Sequence, residues 1–215
     1  MIDRTKQAEY FEKLLEKFGP NFAALDWNSP ESQELRYQVF EEIFLYGKKT
    51  VNISLLDLGC GFGDLYGYLQ KKKMLESHRI KYTGYDISEK LIGVAQKRHL
   101  EATCAVKDIL NETDIPQFDY IFCSGIFNIR IEDIKTHLEY VRLMLARMYD
   151  LIHCGIAVNF LSEGAIPVSD QEDLNSGRYF FFNPEKILGF CRELGCRYVL
   201  RHDYHPGDFT VFMLK

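Results

Sequence analysis

The spacing of apolar residues divides the chain into three stretches. Over the first fifty residues the period is helical. Tyr10, Phe11, Leu14, Leu15 and Phe18 share one face, and Gly19-Pro20 ends it. A linker carrying Trp27 leads to Ser29-Pro30-Glu31, the order of an N-cap, a first-turn proline and a first-turn acid. Leu35, Val39, Ile43 and Tyr46 then predict one stripe of a second helix, stopped at Gly47. From residue 53 onward, short apolar runs alternate with helical periods. Strands are expected over 53–58, 82–86, 103–107, 118–123 and 156–161. Between them, helices are expected from the glycine loop to about Lys73, from a Ser88 cap to His99, and along Ile134, Leu138, Val141, Leu145, Met148 and Ile152. His137 and His153 fall on this last one. Asn183-Pro184-Glu185 opens a further helix that Gly195 closes.

The third stretch breaks the alternation. Residues 197–204 and 209–214 read as two strands joined by His205-Pro206-Gly207-Asp208, a link long enough for a hairpin and too short for a parallel crossover. The expected architecture is therefore α/β: a single doubly wound, seven-stranded, mostly parallel sheet with a C-terminal antiparallel hairpin strand and an N-terminal helical extension. Residues 1–50 form the helical lid or extension and 51–215 the Rossmann-like domain. Residues 163–182 are the one long irregular insertion.

Composition narrows the function. Of 215 residues, 47% are hydrophobic and 27% charged, which suits one soluble domain with a sizeable core. The formal net charge of -5 supplies no basic field for nucleic acid. Lys71-Lys72-Lys73 reads as a solvated helix end, where lysines favour the negative pole of the helix. Six scattered cysteines with no Cys-x-x-Cys pair suggest reduced thiols, not a disulfide framework or zinc site. The residues after Met1 lack the apolar stretch of a signal peptide, and no apolar run reaches the length of a membrane span. The expectation is a cytoplasmic protein without a membrane partner; the oligomeric state is left open.

The chemistry gathers at strand ends. Asp57-Leu58-Gly59-Cys60-Gly61-Phe62-Gly63 lies between the first strand and its helix. Glycines there permit positive φ and close approach of a ligand, and the amides of the next helical turn favour an anionic group such as an amino-acid carboxylate. Asp86, ending the second strand, is placed to accept both ribose hydroxyls of a nucleoside, with Ile87 packing on its base. Asp108, past the third strand, is placed to accept from an adenine amino group, with the Ile109 backbone donating to the ring. The runs Leu55 to Gly63, Tyr85-Asp86-Ile87-Ser88 and Lys107-Asp108-Ile109 resemble, in order and spacing, the successive motifs of class I S-adenosylmethionine-dependent methyltransferases. That resemblance covers residues 51–162, and the final hairpin by topology. It implies S-adenosyl-L-methionine as cofactor, its methionine part held by Asp57, Gly59, Gly61 and Gly63, with Ser124 adjoining. It implies methyl transfer to oxygen or nitrogen of a small-molecule acceptor. The competing readings are a NAD(P)-dependent oxidoreductase and a cofactor-binding scaffold without catalysis. The dinucleotide fingerprint would need a glycine where Asp64 stands, and a carboxylate there repels phosphate.

The acceptor side is less defined. Ser124-Gly125-Ile126-Phe127-Asn128 follows the fourth strand, so the Asn/Asp-Pro-Pro-Tyr signature of amide- and base-modifying enzymes is missing. Phe127 and Asn128 are expected at the site, with a core role for Phe127 equally weighted. The 204–208 turn falls on the cofactor edge of the sheet, which makes His205 and Tyr204 the catalytic candidates, with His202 beside them. Reading His202, Asp203, His205 and Asp208 as metal ligands fits less well, and no metal is expected. Arg178 and Tyr179 belong to the expected acceptor loop. Trp27 and Arg36 complete a lid, or Trp27 acts as a hydrophobic staple.

Overall fold

The computed structural model describes residues 4–215; Met1 to Asp3, where the expected absence of a leader begins, lie outside the described residues. Ahead of the sheet come α1 (Thr5–Phe18), a 3-10 turn (Phe22–Leu25), α2 (Pro30–Glu41) and α3 (Ile43–Tyr46). The alternating region then runs β1 (Ser54–Leu58), α4 (Asp64–Lys71), α5 (Met74–Ser77), β2 (Lys81–Asp86), α6 (Glu89–Arg98), β3 (Thr103–Val106), β4 (Phe118–Cys123), α7 (Ile134–Asp150) and β5 (Ile152–Leu161). A second 3-10 segment (Glu163–Val168), α8 (Gln171–Ser176), α9 (Pro184–Glu193), β6 (Arg197–Arg201) and β7 (Asp208–Leu214) complete the chain.

The seven strands form one sheet in the order β3-β2-β1-β4-β5-β7-β6. All pairs are parallel except those of β7, which runs antiparallel to both β5 and β6. The strand order reverses between β1 and β4, so loops at the carboxyl ends of these two strands diverge and leave a crevice.

Successive strand residues serve opposite faces, as the two-residue period of a strand requires. Leu56, Ile121, Ile156 and Val211 pack with Met144, Leu145 and Met148 of α7 and Ile187 of α9. Their neighbours Leu55, Phe122, Ala157 and Phe212 pack with Phe40 of α2, Ile43 of α3 and Leu69 of α4 on the other side. Three caps fall where the sequence places them. Ser29 accepts from Ser32 N (3.1 Å), Ser88 from Leu91 N (3.3 Å) and Asn183 from Glu185 N (2.8 Å). A buried Asp119 ties the start of β4 to β1 by accepting from Ser54 N (2.7 Å), Ser54 Oγ (2.9 Å) and Lys49 Nζ (2.8 Å).

Several boundaries differ from the periodicity. The second helix breaks at Glu42 into α2 and α3, so Tyr46 ends exposed. Lys73 takes a positive φ of 57° and separates α4 from α5. β5 begins at Ile152, because Ile152 pairs with Phe118; Ile152 and His153 therefore belong to the strand, not to α7. β6 stops at Arg201, and the 163–182 insertion holds two short helical segments. All six cysteines are buried and free. No helix among the described residues is long and apolar enough to cross a membrane.

Candidate functional site

The crevice between β1 and β4 contains three adjoining cavities of about 60, 70 and 280 Å³. All three are roofed by Phe11, brought there by α1, whose apolar stripe packs with Leu25, Phe62 and Leu91. Gly59 and Asp86 border both smaller cavities, and Trp27 and Gly125 border the middle and the large one.

The glycine loop turns on itself. Gly59, Gly61 and Gly63 have φ of 75°, 54° and 75°, which side chains rarely adopt. A Cβ on Gly59 would come within 2.1 Å of Ile126 Cγ2, so the backbone and the loop after β4 approach closely here. Gly63 lines none of the three cavities; it caps α4, and a Cβ there would meet His99. The loop is held by Asp86, which accepts from Gly61 N (3.0 Å) and Ser88 N (3.0 Å). Asp86 is thus a structural clasp as well as a polar wall. Burial pushes its carboxyl upward, opposed by these N–H donors.

The middle cavity has Asp57, Gly61 and Ser124 on its walls, joined by Gln33 and Tyr37 from α2. Tyr82 donates to Asp57 Oδ2 at 2.6 Å. Burial pushes the Asp57 carboxyl from 3.8 up to about 7 against that hydrogen bond, with Asp86 and Asp64 adding to the rise. The Ser124 hydroxyl is buried and has no partner among the described residues. Asp64 is engaged from two sides, by Gln33 Nε2 (3.2 Å) and Arg98 Nη1 (3.3 Å).

The narrowest cavity lies over Ile87 and Ile109. Arg4, the residue just before α1, borders it, forms an ion pair with Asp108 and lies 5.8 Å from the centre of the Tyr140 ring. Asp108 also accepts from Leu110 N (2.9 Å) and Asn111 Nδ2 (2.6 Å). The group facing the cavity at this end is Arg4, with Asp108 behind it. Gln7 donates to the Ile126 carbonyl and Glu12 accepts from Ser88 Oγ (2.7 Å), so α1 is stitched across the crevice by polar contacts.

The large cavity opens beyond Gly125 and Trp27. It is bordered by Asp26, Arg36, Asn128, Asp170, Asp173, Tyr179, Phe181, His205 and Asp208. Arg36, 4% exposed, pairs with the buried Asp208 and lies 5.4 Å from the Trp27 ring. His205 Nδ1 receives Gly207 N–H (3.1 Å) and lies 3.3 Å from Asp208 Oδ2. Burial, then Arg36, holds the His205 ring below its usual value. Tyr204 is not brought to this wall. It packs on the face covered by α2 and α3, and its hydroxyl is shared with Thr210 (2.9 Å).

Phe127 is fully buried, stacked 5.5 Å from Phe160; it belongs to the core, and Asn128 alone of the two reaches the cavity. His137 of α7 receives Ile131 N–H (3.4 Å) at Nδ1 and contacts the Phe127 carbonyl (2.9 Å) through Nε2. Among the described residues, no cluster of three or more histidines, cysteines or acids is placed to hold a metal; Asp203 pairs with Arg201 instead. Arg4, Gln7 and Ile126 are among the wall residues that sequence reasoning passes over. The α1 stripe signals that a helix docks somewhere, and nothing local says that it docks on the crevice.

Residues 56–155 match the family described as a methyltransferase domain. A protein of Mycobacterium tuberculosis (strain ATCC 25618 / H37Rv), named among the methyltransferases, is 27% identical over 164 residues, covering 75% of this chain and 93% of its own. A similarly named protein of Geobacillus sp. (strain WCH70) is 25% identical over 180 residues, and this chain spans 64% of it. The fold is shared with magnesium protoporphyrin IX methyltransferase of Synechocystis PCC 6803, solved with bound SAH (TM-score 0.66, 15% identity, 99% of this chain and 95% of that one). It is also shared with plantazolicin methyltransferase in complex with SAH (TM-score 0.67, 16% identity, 98% and 90%).

Proposed function

We propose that this chain, a methyltransferase of the class I fold, takes its methyl group from S-adenosylmethionine and delivers it to a small-molecule acceptor in the large cavity. The observation that carries the reading is the adjacency of the cavities. A narrow crevice, bordered by Gly59 and Asp86, adjoins a larger chamber that shares Trp27 and Gly125 with it.

The residues present fit such a cofactor. Asp86 retains lone pairs for ribose hydroxyls beyond those used by Gly61 and Ser88. Asp57 offers a carboxylate to an ammonium group, and the partnerless Ser124 hydroxyl stands on the same wall. Ile87 and Ile109 supply an apolar bed, and Arg4 with Asp108 closes its far end. When bound, the cofactor supplies an electrophilic methyl group on a sulfonium. The protein then contributes alignment above all, since holding the two reactants in line removes much of the entropic barrier. Residues 4–50 act as the cover that excludes water, with Phe11 over every compartment. His205, which borders the chamber, is the general base of this reading.

The deciding measurement is thermal unfolding with S-adenosylhomocysteine and, separately, with NAD. A ligand that binds only the folded state stabilises it by about 2.7 kcal/mol at a hundred times its Kd, which for a chain of this length is a shift of several degrees. The expected result is a shift with S-adenosylhomocysteine and none with NAD. The reverse would sink the assignment.

A further inference from the structure

We propose that the methyl acceptor is a small amine, protonated in solution, that also carries an oxygen atom able to accept a hydrogen bond. The proposal rests on the assignment of the large cavity as the acceptor chamber and adds the chemical class that fits it. Four aspartates border this cavity, against Arg36 as the one arginine or lysine among its bordering residues. Two of the acids are already neutralised, Asp208 by Arg36 and Asp173 by Arg178 (2.6 Å). Asp26 and Asp170 have no ion pair among the described residues. Asp26, half-buried, accepts from the Tyr10 hydroxyl (2.9 Å) and is also hydrogen-bonded to Tyr179 with the Arg178 charge nearby, and Asp170 stands exposed at the rim. An anionic acceptor entering here meets four carboxylates against the two guanidinium groups of Arg36 and Arg178, whereas an ammonium group reduces that excess.

Two further observations point the same way. The aromatic rings around the cavity already take cations on their faces: Arg36 lies over Trp27 (5.4 Å), and Arg178 over Tyr179 (4.4 Å). The second is independent of charge. Arg36 borders the cavity at 4% exposure, and its Nε–H is buried without an acceptor. A buried donor left unmade is costly, so a ligand oxygen that meets it gains affinity. Ammonium toward the acids and oxygen toward Arg36 together describe an amine with a neighbouring carbonyl or hydroxyl.

The transfer balances without another reactant. The ammonium loses a proton, which His205 accepts and passes to solvent. The freed nitrogen lone pair forms the bond to the methyl carbon as the carbon–sulfur pair returns to sulfur. The positive charge lost by the sulfonium reappears on the methylated nitrogen.

Trp27 is the chain's one tryptophan and lines the cavity, so its fluorescence reports occupancy directly. The test titrates the full chain, with and without S-adenosylhomocysteine, using three matched probes: L-phenylalaninamide, N-acetyl-L-phenylalaninamide and N-acetyl-L-phenylalanine. The cationic probe is expected to bind about tenfold more tightly than the neutral one and the anionic probe to bind worst. Asp170→Asn and Asp26→Asn should each shrink that preference while leaving S-adenosylhomocysteine affinity intact. Because Asp26 also anchors Tyr10, the Asp170 variant carries the test if the other fails to fold. Equal response to all three probes, no response at millimolar concentration, or preference for the anion overturns the proposal. Failure of S-adenosylhomocysteine to bind would instead overturn the cofactor assignment, and the probe titration still reads the cavity.

Discussion

Asp57 has a buried carboxyl group with a tyrosine hydroxyl beside it and no ion pair among the described residues. Its folded value of about 7 lies above the ordinary 3.8, so between these pH values the folded chain binds more protons than the unfolded one. Stability contributed by the neutral acid is therefore present below 3.8 and lost as pH rises to 7. Asp57→Asn removes this loss and keeps an oxygen for Tyr82. The variant should melt higher than the wild type at pH 8, by an amount bounded at roughly 4 kcal/mol, and equal it near pH 4. It should bind S-adenosylhomocysteine about tenfold to a hundredfold more weakly, because the cofactor ammonium loses its charged partner. Calorimetry giving unchanged affinity would remove Asp57 from the methionine end. The strand-end acids and glycines could be read from the sequence because their spacing encodes a local turn. Arg4 and Gln7 could not, since their place depends on where a distant helix docks. The side taken by Tyr204 was not legible either: the sequence predicts it at the end of a strand, but β6 ends at Arg201, so the two-residue alternation no longer fixes where it points.

Among the elements, α7 does more than cover the sheet. Its first turn is capped by Asp133, which accepts from Lys135 N (2.8 Å) and Thr136 N (3.1 Å), and its second turn presents His137. That ring, stacked 4.4 Å from Phe180, pins the loop after β4 to the helix. Burial lowers His137 to about 4, against the Phe127 carbonyl contact that favours the charged form. Its folded value is depressed below the usual 6.5, so the unfolded chain binds more protons between pH 4 and 6.5. The stability this ring contributes is present above 6.5 and is lost as pH falls toward 4, by roughly 3 kcal/mol in all. Urea unfolding of wild type and His137→Gln from pH 4 to 8 should show this slope in the wild type and a flatter profile in the variant. Parallel profiles would mean that His137 titrates normally. Periodicity marks α7 well because its apolar stripe is long. It places Ile152 in the wrong element because an apolar residue suits the last turn of a helix and the first position of a strand equally, and only pairing with Phe118 decides.

Taken as a whole, the molecule is held by a sheet whose buried centre moves toward its C-terminal end. Every residue of β7 is buried, whereas β6 at the edge is exposed or half-buried along its length. Native-state hydrogen exchange should therefore find the β7 amides among the slowest and those on the open side of β6 among the fastest of the strands, the latter exchanging through local opening. Comparable rates in the two strands would show that the hairpin opens as a unit.

The place of β7 also sets the order in which the molecule can be completed. It is the last of the seven strands in chain order, yet it separates β5 from β6 and supplies the pairing of both. While the chain emerges from a ribosome, β5 has one open edge and β6 has no partner at all until residues 208–214 are free. During that interval an apolar edge that includes Ile156, Val158 and Phe160 is available to any strand from another chain. Recombinant yield should thus respond more to temperature and chaperone supply than the stability of the finished fold would suggest, and a chain stopped just before residue 208 loses an interior strand of its sheet, not a tail.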